Sequence, residues 1–340
     1  MPSIEENVPL APLTTIGIGG PARYFTRVTT VDELGRALDW AREGKLPAFI
    51  LGGGSNLLIS DDGFPGLVIH LGLRGVTVES EGDYATVKVA AGEPWDSFVE
   101  TAVERGWAGI ECLSGIPGST GAAPIQNVGA YGQEVSETII RVEALDRTTG
   151  RVTSFTNREC RFAYRSSRFK NDEPGRYIVL NVTFRFQRGG AASVRYQELQ
   201  RYLDERGGSA AELAAVRDAV IAIRRRKGMV IDRGDPDTRS DGSFFMNPIV
   251  PAGALPEEAP SFPAGDGMVK LSAAWLIEQA GFQKGFTLGN VGLSSKHTLA
   301  VINRGGGTAR EVCELVEMIQ ERVRQRFGIE LHPEPNFIGF

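Results

Sequence analysis

The chain has 340 residues, 41% hydrophobic and 23% charged, with a net charge of −5. Such proportions suit a folded protein of two or three domains, and the acidic balance argues against a general nucleic-acid binder. Three scattered cysteines, Cys112, Cys160 and Cys313, form no CxxC pair and no disulfide framework, so a reducing, cytoplasmic setting is expected. The first thirteen residues lack the basic-then-apolar order of a signal peptide. No run of about 18 apolar residues is present to span a membrane. His70, His297 and His332 stand at no metal-ligand spacing, so no metal centre is expected. Proton transfer would then fall to a side chain other than histidine.

Taken in chain order, the helices are announced by their caps. Thr30 and Glu33 make a capping box before the stripe Leu34, Leu38 and Ala41, with Gly44 as the stop. Strands are expected at 48–51, 67–71 and 85–90. Pro94 reads as the first helical position of a segment carrying Trp95, Phe98, Val99, Ala102 and Val103, closed by Gly106. The stretches 139–146 and 151–156 flank Thr148-Thr149-Gly150 as a hairpin. A long strand follows at 177–186, with Asn181, Thr183 and Arg185 on its polar face. Ser209 and Glu212 form a second capping box, for a helix running to Gly228. Ser272 starts a short helix ending near Gly281. Thr308 and Glu311 form a third box, with Val312, Val316, Ile319 and Val323 as the buried stripe. Breaks are expected near Leu73 and in 233–241. The four-proline stretch 251–267 reads as a surface excursion. The order is α+β rather than a regular βα alternation.

Several segments carry residues suited to chemistry. Leu51-Gly52-Gly53-Gly54-Ser55-Asn56 follows a strand and could turn backbone N–H groups onto a phosphate. A tight turn would use the same glycines. The spacing is not G-x-G-x-x-G and no helix follows, which counts against a Rossmann site. Residues 114–132 hold five glycines and two prolines and almost no charge. A long loop of that kind either lines a flat ligand, with Ser119, Thr120, Gln126 and Asn127 as polar contacts, or is a packed Ω-loop. Residues 160–170 place Arg161, Arg165, Arg168 and Lys170 among three aromatics, as an anion site or an ordinary basic loop. Arg224-Arg225-Arg226-Lys227 closes a helix, where cations suit the dipole and could also clamp a diphosphate. Ser243 lacks the G-x-S-x-G frame of a hydrolase. Glu334 is stiffened by prolines on both sides, in a terminal segment that is otherwise read as structural.

In order along the chain, TTIGIGGPA, ILGGGSNLL, GIPGSTGAAPIQNVGAYG, CRFAYRSSRFK, GSFFMNP, KLSAAWLIEQAG and PEPNFIG resemble the UDP-N-acetylenolpyruvoylglucosamine reductase family over nearly the whole sequence. The resemblance implies a vanillyl-alcohol-oxidase-like (PCMH-type) two-subdomain FAD-binding fold with a separate α/β substrate-binding domain. The expected boundaries are 1–72 and 73–231 for the FAD subdomains, with 329–340 returning to the second, and 232–328 for the substrate domain. It implies FAD as cofactor, NADPH as hydride donor and UDP-N-acetylglucosamine enolpyruvate as substrate, with no nucleic-acid, membrane or obligate protein partner.

By the same resemblance Gly53, Gly54, Ser55 and Asn56 hold the FAD pyrophosphate. Pro117, Gly118, Thr120, Gly121, Ala122 and Gly129 line the flavin. Arg165, Ser243 and Glu334 are the implied catalytic set, with Ser243 as proton donor. Tyr131, Tyr196, Arg224, Lys227, Asn247 and His297 are the implied substrate contacts. Tyr196 matches the tyrosine of a loop that covers substrate in one branch of the family. Two departures stand out: 228–239 is longer than in commoner members, and Met246 stands where lysine is frequent. The competing readings are another FAD-dependent oxidase or dehydrogenase of this fold, acting on a sugar or hydroxy acid, and a non-redox UDP-sugar binder.

Overall fold

A computed structural model describes residues 3–340; the first two residues of the N-terminal tract lie outside it. The chain divides into two compact units. The first comprises the residues up to Glu6, Arg23–Gly53 and Gly66–Arg225; the second comprises Asn7–Ala22, Gly54–Pro65 and Arg226–Phe340.

In the first unit, Val31–Glu43 (α1) begins with the expected box: Thr30 accepts from the Glu33 N–H, and Glu33 reaches back to the Thr30 N–H. A four-stranded sheet is ordered Glu5–Pro9, Pro21–Val28, Phe64–Leu71, Ala48–Leu51, the last two parallel. A larger antiparallel sheet is ordered Arg151–Thr156, Ile139–Asp146, Tyr177–Arg188, Tyr84–Ala90, Val76–Glu81. The helix Trp95–Glu104 (α2) supplies Trp95 and Phe98, which pack with Phe184 and Phe186 of the long strand. The rings of Trp107 and Phe186 stack 6.0 Å apart. Burying such side chains contributes about 1.5–3 kcal/mol each before ordering costs. Two further helices, Gln197–Asp204 (α3) and Leu213–Arg226 (α4), share a small core of Leu199, Leu203, Val216, Val220 and Ile223 around Cys112.

The second unit is built on short antiparallel sheets. One is ordered Ile249–Pro251, Met268–Leu271, Ser261–Pro263; the other is Thr287–Leu288, Val291–Leu293, Val301–Asn303. Near the chain end Asn336–Ile338 runs parallel to Leu57–Ile59. Ala273–Gln279 (α5) and Ala309–Phe327 (α6) bury Leu276, Ile277, Val312, Leu315 and Ile319 against Phe244 and Phe245. The start of α6 has its orphan N–H groups claimed twice over. Thr308 and Glu311 form the capping box, and the Asp61 carboxylate accepts from the N–H groups of Ala309 (2.7 Å) and Arg310 (3.0 Å).

Four expectations are corrected. Pro94 is the residue before α2, with extended backbone, rather than its first helical residue. Ser209 makes no capping box: its Oγ accepts from the Ala211 N–H, which closes a turn, and the helix begins only at Leu213. Thr183 lies on the strand face read as polar yet is 1% exposed. Residues 251–267 are not a bare excursion, because Ser261–Pro263 returns as an edge strand of a three-stranded sheet. The proline at the end of that strand is tolerated there, since an edge needs no donor. The helix α3 has no counterpart among the expected elements.

Candidate active site

The turn at 52–56 is shaped by what glycine omits. A Cβ on Gly53 would lie 2.5 Å from the Gly118 Cα, and one on Gly52 would lie 2.7 Å from the Ser119 Oγ. Gly54 has a φ of +65°, and a Cβ there would meet the Leu13 carbonyl oxygen. The backbone N–H groups of Gly53, Gly54 and Asn56 make no hydrogen bond among the described residues. Unclaimed N–H groups on a glycine turn are the donor set a diphosphate needs.

Residues 114–132 form neither a bare loop nor one regular element. The segment contains a 3-10 turn at Thr120–Ala122, a helical turn at Ala123–Gln126 and a two-residue strand at Gly129–Ala130. It is stapled to the end of the strand Tyr84–Ala90. The Trp95 N–H donates to the Gly118 carbonyl (3.0 Å), the Thr120 N–H to Glu93 (2.8 Å) and the Gly121 N–H to Ala91 (2.8 Å). Thr120 is fully buried and its hydroxyl donates to the Glu93 carbonyl, so its side chain faces inward. Asn127 is also fully buried. Its amide donates to Glu134 and to the Ala163 carbonyl, so it braces the protein and is not the free polar contact expected. Pro117, Gly118 and Gly129 are half-buried and Ala122 is exposed, which leaves the loop an accessible, nearly uncharged face.

Arg165 is held against that face, its guanidinium donating to the Gly129 carbonyl at 2.9 Å. Of the other cations in its segment, Arg161 pairs with Asp172 and Arg168 with Glu173, so both are structural. Lys170 donates to the Gln126 side chain. Asn127, Tyr131 and Arg165 all have left-handed backbone, with φ of +44°, +49° and +51°. That conformation costs about 1–2 kcal/mol for most non-glycine residues and less for asparagine; Arg161 and Lys45 share it away from this face.

A second cluster lies near the end of the loop. The Tyr131 and Tyr196 rings meet edge to face at 5.6 Å. Burial pushes the Tyr131 phenol up to about 12, opposed in part by Arg224. Burial holds the Arg224 guanidinium below its ordinary value. Arg195, beside Tyr196, donates to the Gly132 carbonyl and pairs with Glu137.

In the second unit, Phe244 and Phe245 carry Ser243 on a strand-like segment. The Glu334 N–H donates to the Phe244 carbonyl (2.8 Å), Met246 donates to His332 (3.0 Å), and Phe245 pairs with Pro333. This register brings the chain at Ser243 beside the chain at Glu334. Asn56 closes the group, its amide donating to the Glu334 carbonyl and its own carbonyl accepting from the Asn336 N–H. The Asn247 side chain accepts from the first N–H of α5 (3.0 Å). The turn carrying His297 is braced by the long 228–239 segment: Asp237 accepts from the Ser295 N–H (3.1 Å) and hydroxyl (2.5 Å), and Asp235 pairs with Lys296. Lys227 follows α4 and is half-buried.

Residues 235–338 match the model of the UDP-N-acetylenolpyruvoylglucosamine reductase C-terminal domain, and residues 22–156 match an FAD binding domain. The reductase of Cutibacterium acnes is 49% identical, over 98% of this chain and 90% of that protein. The chain belongs to the UDP-N-acetylenolpyruvoylglucosamine reductase family. The Thermobifida fusca reductase is 48% identical, over 99% of this chain and 98% of that one. The crystal structure of the Thermus caldophilus reductase superposes with a TM-score of 0.71 at 26% identity, covering 99% of this chain and all of that one. The expected fold class therefore stands: an α+β FAD-binding region followed by a separate reductase-family C-terminal domain. The unclaimed N–H groups at Gly53, Gly54 and Asn56 and the uncharged loop 114–132 fit an FAD diphosphate and a flat ring. Among the described residues no His, Cys, Asp or Glu cluster could hold a metal, and no helix is long and apolar enough to cross a membrane.

Two buried acids were not legible in the sequence. Glu111 is 1% exposed and accepts from Gly109 N–H, Gln133 Nε2 and Ser193 N–H. Asp241 is 7% exposed and two residues before Ser243. Neither sits in a motif; burial created by distant segments is what marks them.

Proposed function

We propose that the protein catalyses the NADPH-dependent, FAD-mediated reduction of UDP-N-acetylglucosamine enolpyruvate to UDP-N-acetylmuramate, in the cytoplasm, as a step of peptidoglycan precursor synthesis. The observation that carries this reading is the pairing of the Ser243 segment with the Glu334 segment, which brings a hydroxyl-bearing and a carboxyl-bearing residue together. FAD, when bound, supplies the two-electron carrier between the nicotinamide and the substrate.

The chain's own residues do the rest. Gly53, Gly54, Ser55 and Asn56 hold the FAD diphosphate through backbone N–H groups. Pro117, Gly118, Thr120, Gly121, Ala122 and Gly129 present backbone to the flavin. The reduction adds a hydride at the terminal vinyl carbon and a proton at the adjacent carbon, so charge develops on that carbon and its carboxylate. Arg165 stabilises this charge as a fixed cation, and Glu334 does so as a hydrogen-bond donor, its carboxyl carrying a proton in the complex because a carboxylate would repel the substrate's own. The Ser243 hydroxyl gives the proton, which a serine can do because the carbanion is strongly basic. Tyr131, Tyr196, Arg224, Lys227, Asn247 and His297 bind the UDP-sugar.

Purified protein is expected to be yellow and to form UDP-N-acetylmuramate, identified by mass, from the enolpyruvyl substrate and NADPH. A colourless protein that takes up no FAD would overturn the flavin reading. Yellow protein that oxidises a sugar or hydroxy acid and ignores the enolpyruvyl substrate would favour an oxidase of the same fold.

A further inference from the structure

The Asp241 carboxyl lies at a junction of three segments of the second unit. Its Oδ1 accepts from the Thr15 hydroxyl at 3.1 Å, and the Leu57 amide faces it. Its Oδ2 is fully enclosed and has no hydrogen-bond partner among the described residues. Thr15 and Leu57 bracket the glycine turn: the Thr15 N–H donates to the Gly54 carbonyl at 2.9 Å, and Leu57 follows Asn56. Asn56 in turn clamps the Glu334 carbonyl. The carboxyl thus joins the diphosphate turn to the segment bearing Ser243.

An ionised carboxylate here would have an enclosed oxygen to which no protein group donates, which is costly. Burial, the Thr15 hydroxyl and the Leu57 amide are the influences on this carboxyl. No charged side chain among the described residues adds to them. Burial dominates and pushes the group up to about 8.

We propose that Asp241 is a positioning residue that works as a neutral carboxylic acid, tying the flavin-diphosphate turn to the Ser243 segment; ionisation strengthens its bonds from Thr15 and Leu57 but leaves an enclosed charge that opens the junction to water. The inference rests on the functional reading above for the role of Ser243, and on geometry alone for the tie. The sign follows from linkage. Between the ordinary carboxyl range near 4 and about 8, the folded protein holds a proton that the unfolded chain has lost. Stability from this group is therefore complete in acid, declines as pH rises through that window, and is fully lost above about 8.

The test uses the holoenzyme, with thermal unfolding and release of FAD fluorescence followed from about pH 4 to about pH 9.5, which brackets the window set by that linkage. Wild type should lose Tm progressively up to about 8, and should lose FAD affinity through a one-proton transition centred there. Asp241→Asn, which copies the neutral acid, should remove that limb and keep turnover at the acid end within a few-fold. Thr15→Val, which removes a donor favouring the charged form, should move the limb upward. Parallel wild-type and Asp241→Asn profiles would overturn the proposal, as would an unmoved limb in Thr15→Val. Turnover of the enolpyruvyl substrate at no pH, with the FAD limb intact, would count against the functional reading and leave this one standing.

Discussion

Glu111 and Asp241 occupy comparable places: each is a buried acid just before a segment that carries proposed function. Glu111 precedes the loop 114–132, and all three donors around it reach its two oxygens. Asp241 precedes Ser243, and one of its oxygens is left with no donor. The first arrangement is a completed network that fixes three backbone segments. The second is an incomplete one, in which a neutral carboxyl costs less than an enclosed charge. Burial alone therefore does not define what an acid does; the count of its donors does.

The largest expected effect would break the first half of this comparison. Glu111→Ala leaves three N–H donors, one buried and two half-buried, without their acceptor, at up to about 1–3 kcal/mol each. Its total cost is set at roughly 3–5 kcal/mol, because neighbouring losses do not add fully. Chemical denaturation would measure it. A cost near that of a surface change would mean the network is not what holds the loop root.

A smaller effect is expected at Arg165. Arg165→Lys keeps the charge but loses the planar fork that reaches Gly129. Turnover with the enolpyruvyl substrate should fall roughly tenfold or more, corresponding to about 1.4 kcal/mol or more, while FAD stays bound. Near-normal turnover would remove Arg165 from the proposed catalytic set. The smallest effect is expected at Arg195, which pairs with Glu137 through half-exposed side chains. Arg195→Ala should cost about 0–1 kcal/mol and vanish at high salt. Any change in substrate KM at low salt would report on the Tyr196 segment beside it.

What the sequence made legible was local. Thr30 with Glu33 and Thr308 with Glu311 announce their helices because a cap is a contact across three residues. The same pattern at Ser209 misleads, since its hydroxyl has a nearer amide in Ala211. The helix Gln197–Asp204 escaped notice because eight residues make only about two turns, so its buried face shows as little more than the i, i+4 pair Leu199 and Leu203. The strand at Ser261–Pro263 was hidden by its proline and its length. Glycines 52–54 suggested a phosphate turn, yet their close approach to Gly118, Ser119 and Leu13 is tertiary. The family motifs named Arg165, Ser243 and Glu334. No local pattern pointed to Asp241, whose setting depends on Thr15, 226 residues away.

The proposed division of labour has the 114–132 loop serving the flavin and the Ser243 segment serving the proton. It is tested most directly by rapid mixing of Ser243→Ala in two separate half-reactions. Flavin reduction by NADPH should match wild type, while reoxidation by the enolpyruvyl substrate should slow by roughly a hundredfold or more, the scale of a lost general acid. Equal losses in both half-reactions, or none in either, would contradict the account.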